Sequence, residues 1–161
     1  MKYILVPRNI AIGKVATSSS TGYNSPPEKA IDGDSNNGKM TPGGACAHTN
    51  QEASWISIDL GSEYEISSVN LVGRADECDC HDQSSGWKIR IGNSDSITDA
   101  LCKGNVDVYG GDEVPIHCNT DLSGRHVRIE SDTWMVLCEI MIFGEEKSSL
   151  SFFSFVFCLE P

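Results

Sequence analysis

The chain is short of positive charge: 12 Lys and Arg stand against 23 Asp and Glu in 161 residues, a formal net charge of −11. A phosphate lattice or an anionic membrane surface would repel such a molecule, which argues against nucleic acid as a partner. A divalent cation suits it better, because carboxylates and carbonyls are its natural ligands. No apolar run reaches the length of a membrane span, so no membrane insertion is expected. A full signal peptide is also missing. Met1 to Val6 form a short apolar run that stops at Pro7, and residues 1–8 read as an extension, either a truncated signal or a linker. No N-x-S/T acceptor occurs. The paired C-x₂₋₄-C knuckles of structural zinc sites are absent, the one close pair being Cys78-Asp79-Cys80. There is no G-x-S-x-G elbow, no H-E-x-x-H helix and no phosphate loop, so an enzyme is not expected. No stretch reads as an amphipathic helix longer than two turns.

What the chain does have is cysteine. Seven stand at positions 46, 78, 80, 102, 118, 138 and 158, the density of a secreted, disulfide-stapled domain rather than a cytosolic one. An extracellular location is expected on that ground. The odd count leaves one thiol over, with Cys158 the candidate. Connectivity does not follow from the sequence alone.

Residues 16–50 are rich in Ser, Thr, Asn, Gly and Pro and read as long loops with at most short helical or strand pieces. Alternation begins at Trp55, where Ile56, Ile58 and Leu60 share one face. Gly61-Ser62 reads as a turn, and further strands are expected at 66–72, 87–91, 114–118, 125–129 and 137–143. Trp55 and Trp87 are expected in the core, and His117 and His126 within strands. Short strands with turn punctuation and no βαβ alternation predict an all-β antiparallel sandwich or jelly roll. Its loops gather at the ends, where a site would be built. One domain is expected over residues 9–146. Residues 147–161 form an apolar tail of separate character, an extra strand, an oligomer contact or a segment foreign to the domain.

A neutral sugar is recognised through its hydroxyls and its apolar C–H faces. Each desolvated hydroxyl left unpaired costs about 1–3 kcal/mol, so fixed donors and acceptors are needed. Arg offers a rigid fork of donors, and His one donor and one acceptor. The segment Gly73-Arg74-Ala75-Asp76-Glu77-Cys78-Asp79-Cys80-His81 carries these types at a strand exit, and His48 lies on another loop just after Cys46. Tyr23 and Met40 are candidates for an apolar wall against a sugar methyl. The competing readings are a surface histidine, a plain Arg74–Asp76 ion pair, and a soft-metal site on Cys78, Cys80, His81 and His48.

Ala30-Ile31-Asp32-Gly33, Cys46-Ala47-His48, Trp55-x₃-Asp59-Leu60-Gly61, Arg74-Ala75-Asp76, Ile89-Arg90-Ile91-Gly92-Asn93, Gly124-Arg125-His126-Val127 and Leu137-Cys138-Glu139-Ile140 stand in the order found in F-type lectin domains. The chain resembles that family over roughly residues 9–144. The resemblance implies a discoidin-like β-jelly roll that binds L-fucose and fucosylated glycans with a structural calcium, in innate recognition, agglutination or cell adhesion. Its sugar motif is a His followed by Arg-x-Asp-x₄-Arg/Lys. Here that is His48, 25 intervening residues, Arg74-Ala75-Asp76, four residues, and His81.

The calcium ligands the resemblance implies are the carbonyls of Lys29, Asp34, Ala45 and Cys138 and the carboxylates of Asp32 and Glu139. Ala45 stands where the family often has Ser, so a hydroxyl ligand is lost; the side chain of Asp34 or Asn36, or a water, would fill the gap. The disulfides implied are Cys46–Cys138, worth roughly 4–5 kcal/mol on the chain-entropy model, and Cys102–Cys118, pinning a hairpin. That leaves Cys78 and Cys80, separated where the family often has adjacent cysteines; their C-x-C ring would be strained. His81 replaces a permanent cation, so sugar binding is expected to vary between about pH 5.5 and 7.5. The rival functions are a discoidin-like adhesion module that has lost or altered its sugar specificity and an accessory domain of a carbohydrate-active enzyme. Lectin sites are individually weak, and self-association would raise avidity.

Overall fold

The computed structural model describes residues 7–35, 38, 44–75, 81–108 and 110–147, with the side chains of His81 and Asp82 outside that description. Among the described residues eight strands carry the fold: β1 (Val15–Ser18), β2 (Ala47–His48), β3 (Ser54–Gly73), β4 (Trp87–Gly92), β5 (Ala100–Val106), β6 (Glu113–Ile116), β7 (Leu122–Ser131) and β8 (Val136–Glu146). The helical pieces among the described residues are short 3-10 turns, as at Pro27–Ala30 and His81–Ser84. Every strand pairing is antiparallel, in the order β2-β8-β3-β7-β4-β5, with β1 and β6 also on β3. The expected all-β antiparallel class is what the chain adopts.

The long strand β3 organises the rest. Along one edge it pairs first with β7 and then with β6; along the other, first with β1 and then with β8. Two register shifts, between Asp59 and Tyr64 and between Ile66 and Ser68, make this possible. They bend the strand and change which residues point inward. Before the shifts Ile56, Ile58 and Leu60, all even, enter the main core; after them Val69 and Leu71, both odd, do so, while Val72 packs in a smaller cluster beside the disulfide. Gly61 is therefore not a turn, as the sequence suggested, but part of a bulge. Its φ of +82° demands glycine even though the space around it is open. Asp59 Oδ1 accepts from the Gly61 amide at 2.8 Å, and Lys14 Nζ donates to the Leu60 carbonyl at 2.6 Å.

The other departures have equally local causes. Strand β6 ends at Ile116, leaving His117 exposed beyond it, while His126 lies half-buried within β7. Trp87 is fully buried with Ile89 and Ile91, as expected. Trp55 is not core: it lies half-buried on the face opposite Ile56 and Ile58, and the Arg128 guanidinium covers its ring at 4.2 Å. The bridge Cys102–Cys118 does not pin a hairpin, because β5 pairs with β4 and β6 with β3. It ties two parts of the sheet together instead. Residues 1–6 and 148–161, with Cys158, lie outside the described residues.

Candidate functional site

Register alone brings the implied site residues together. Ala47 faces Leu137 and His48 faces Val136 across the β2–β8 ladder, and the Cys46–Cys138 disulfide sits one step further along. The same register sets Ala45 beside Glu139. Two polar positions thus flank one disulfide, His48 on one side and Glu139 on the other, roughly 10 Å apart along the strand. On the far side of β8, Gly73 of β3 faces Leu137. Arg74 therefore lies two strand spacings from His48, about 10 Å between their backbones.

His48 is 3% exposed, and its Nδ1 has no hydrogen-bond partner among the described residues. The backbone around it is fixed: its amide donates to the Ser25 carbonyl at 3.0 Å, and its carbonyl accepts from Gly22 at 2.7 Å. A Cβ at Gly22 would come within 2.7 Å of Nδ1, so glycine is required there. Burial holds the imidazole below its ordinary pKa; the Arg74 charge acts in the same direction and the Thr49 backbone against it. His48 is therefore held neutral, with one donor and one acceptor.

Arg74 stands on a closely packed base. Its amide donates to Ser84 Oγ at 3.3 Å, its carbonyl accepts from Gly110 at 3.1 Å, and Nη1 donates to Gln83 Oε1 at 3.4 Å. A Cβ at Gly73 would fall 1.8 Å from the Val108 carbonyl, which explains the glycine before the arginine. Asp76, Cys78, Cys80 and Met40 lie outside the described residues, as does the side chain of His81. The Cys78–Cys80 pairing and the Arg74–Asp76 ion pair fall with them.

Glu139 is the second buried polar side chain beside the disulfide. The side chain is 2% exposed; Oε2 accepts from the Gly33 amide at 3.1 Å, and Oε1 has no partner among the described residues. Burial pushes its pKa up to about 8. The charges of Asp32 and Asp34 push the same way, and the Gly33 amide opposes them. Asp32 Oδ1 accepts from the Asp34 amide at 2.9 Å, closing that loop on itself. Lys29 Nζ donates to the Gly44 carbonyl, joining the Pro27–Ala30 turn to the chain entering Ala45. A cleft of about 460 Å³ opens here, lined by Gly33, Ser35, Asp112, Glu113 and Glu139. Among the described residues no three His, Cys, Asp or Glu side chains converge closely enough to hold an ion by themselves. A bound ion would therefore draw mainly on carbonyls, the donor set of a hard cation such as calcium. The orphaned Glu139 oxygen, with the Asp32 and Asp34 charges nearby, fits that group.

Residues 14–142 match the F5/8 type C domain. The chain belongs to that family. Within it the chain is 28% identical to Fucolectin-6 of Anguilla japonica over 145 residues, 85% of this chain and 76% of that protein. In fold it is similar to a fucolectin from Morone saxatilis (striped bass) serum, with a TM-score of 0.77 at 23% identity over 88% of this chain. It spans half the length of that lectin, covering 50% of it. The lectin domain of lectinolysin, solved in complex with Lewis B antigen, is 26% identical with a TM-score of 0.69, over 84% of this chain and 96% of that one. The F5/8 type C domains of this lectin type bind carbohydrate and are not enzymes.

Three side chains of this F5/8 type C domain enter the site without having been singled out as polar ligands. Gln83 orients Arg74. Tyr23 and Trp134 flank His48, their ring centroids 4.8 and 6.3 Å from the imidazole. Tyr23 was a candidate wall, but Trp134 was missed. It was detectable: extending the Cys46–Cys138 register places position 134 opposite 50, next to His48. A separate cleft of about 790 Å³, lined by Glu65, His117, Asp121 and Glu145, lies seven to nine residues along β3 from Arg74 and along β8 from Val136, or roughly 25–30 Å.

Proposed function

We propose that the chain is an extracellular, calcium-stabilised lectin that binds glycans carrying L-fucose. The observation that carries this reading is His48: buried, held neutral, with an unpartnered nitrogen, and close enough to Arg74 to feel its charge. A neutral imidazole beside a guanidinium supplies fixed donors and one acceptor, which suits a ligand of several hydroxyls and no charge. The relatives support the choice of sugar, being named fucolectins or solved with a Lewis antigen. Asp76 and His81 complete the polar set by their sequence positions.

Calcium belongs to this reading. Glu139 and Asp32 would hold it through carboxylates, and Lys29, Asp34, Ala45 and Cys138 through carbonyls. Its charge would neutralise a buried carboxylate and fasten the 29–45 segment to β8. The disulfides agree with an oxidising compartment, and no helix among the described residues is long and apolar enough to cross a membrane. Innate recognition or cell adhesion through weak sites multiplied by self-association is the role such a module would fill.

The test is a glycan array followed by titration calorimetry with and without calcium. Fucosylated glycans should bind, and Arg74→Ala should weaken them by about tenfold or more, the factor expected when a desolvated hydroxyl loses its partner. Absence of any fucosylated ligand, or an Arg74→Ala variant that binds as well as the parent, contradicts the reading.

A further inference from the structure

Strand β3 ends at Gly73, one step short of a contact that its register calls for. Gly73 faces Leu137, so the next pair along the ladder would be Arg74 and Val136. On its other side Val136 faces His48. The Thr49 amide donates to the Met135 carbonyl at 3.0 Å, linking the chain after β2 to the chain before β8. Bonding groups alternate in direction along an antiparallel strand, so Val136 turns its amide and carbonyl toward β3. A continued ladder would close a direct bond there, from the Arg74 amide to the Val136 carbonyl.

That bond is not made directly. The Ser84 hydroxyl stands between the two groups: its Oγ accepts from the Arg74 amide at 3.3 Å and donates to the Val136 carbonyl at 3.5 Å. Ser84 is fully buried, and its carbonyl accepts from the Val108 amide at 2.8 Å, which fixes the residue itself. A direct ladder bond is about 2.9 Å long. Two longer contacts in series hold the exit of β3 further from β8 than a strand pair would. The same short turn holds the head of the arginine, since Gln83 Oε1 accepts from Nη1 at 3.4 Å. One hydroxyl thus sets how far Arg74 stands from the strand that backs His48. Without that oxygen the amide and the carbonyl lose their shared partner, and the strand exit is free to close on β8.

We propose that Ser84 is a positioning residue for the sugar site: its hydroxyl, inserted between Arg74 and Val136, sets the separation of the Arg74 guanidinium from the His48 imidazole. This rests on the fucose reading above. The test is a double-mutant cycle read by calorimetry with methyl α-L-fucoside, each variant shown to be folded by its Tm. Ser84→Ala should weaken the fucoside about fivefold. In an Arg74→Ala background the same change should cost less than about twofold, because no guanidinium is left to misplace. A merely structural serine would cost the same factor in both backgrounds. Ser84→Thr keeps the hydroxyl and should bind within about twofold of the parent. Equal costs in the two backgrounds, no cost in the parent, or a Ser84→Thr loss as great as that of Ser84→Ala each overturn the inference and leave the fucose reading standing. A parent that binds no fucoside overturns both.

Discussion

His48 and Glu139 flank one disulfide, and both are buried polar side chains with an atom that no described residue satisfies. Burial disfavours charge at both, so the histidine pKa falls and the glutamate pKa rises. There the likeness ends. A neutral imidazole is at rest in its pocket and can offer hydrogen bonds to an uncharged ligand. Glu139 has Asp32 and Asp34 beside it, and their charges add to the penalty of burial. That region is unfavourable as a set of carboxylates, and a bound cation would relieve it. On the proposed reading, the same burial suits one side of the disulfide to a sugar and the other to a metal.

The largest expected effect is on what the two regions share. Replacing Cys46 and Cys138 together by Ala removes a bridge spanning 92 residues, worth about 4–5 kcal/mol on the chain-entropy model. Calcium and fucoside binding should fall together. Replacing Cys102 and Cys118 removes a bridge spanning 16 residues, worth about 3 kcal/mol on the same model, and should leave both affinities near those of the parent. Urea unfolding with calorimetry distinguishes the two; equal losses of binding would break the claim that the first bridge organises both regions.

Next comes the metal side alone. Calcium at about a hundred times its Kd should stabilise the parent by about 2.7 kcal/mol, and Glu139→Gln should abolish that gain. A variant that still responds fully to calcium would place the cation elsewhere.

The smallest effect is a control far from either region. Asp59 is held well below the usual carboxylate range, chiefly by Arg125, whose Nε and Nη2 donate to its two oxygens at 2.6 and 2.7 Å. A depressed folded pKa gives stability that is full above the unfolded value near 3.9 and is lost as pH falls below it. Asp59→Asn should therefore be less stable than the parent at pH 7, with the gap closing below about pH 4. Exposure of the pair keeps the effect modest. Stability curves at several pH values check it, and neither binding activity should move.

Much of the frame could be read from the chain because one buried face forces a period of two, as in Ile56-x-Ile58-x-Leu60 and Trp87-x-Ile89-x-Ile91. That same parity pointed Trp55 outward; the general preference of Trp for the core hid it. Gly61 misled because a left-handed glycine marks a bulge as well as a turn. Strand β5 escaped notice because only Cys102 and Val106 of its seven residues are buried, too few to show alternation. In the candidate site, His48 and Arg74 stood out by residue type, beside a cysteine and at a strand exit, whereas Glu139 was reached only through the family resemblance. Gln83 joins by tertiary contact with nothing in its own segment to mark it, whereas Trp134 is reached only by extending the Cys46–Cys138 register.

The most direct test of the account titrates methyl α-L-fucoside into the parent and His48→Ala, and measures the calcium-induced rise in Tm on the same samples. The account predicts that His48→Ala loses about tenfold or more in fucoside affinity while its response to calcium is unchanged. A variant that binds the fucoside as well as the parent, or one that loses its calcium response along with the sugar, would contradict it.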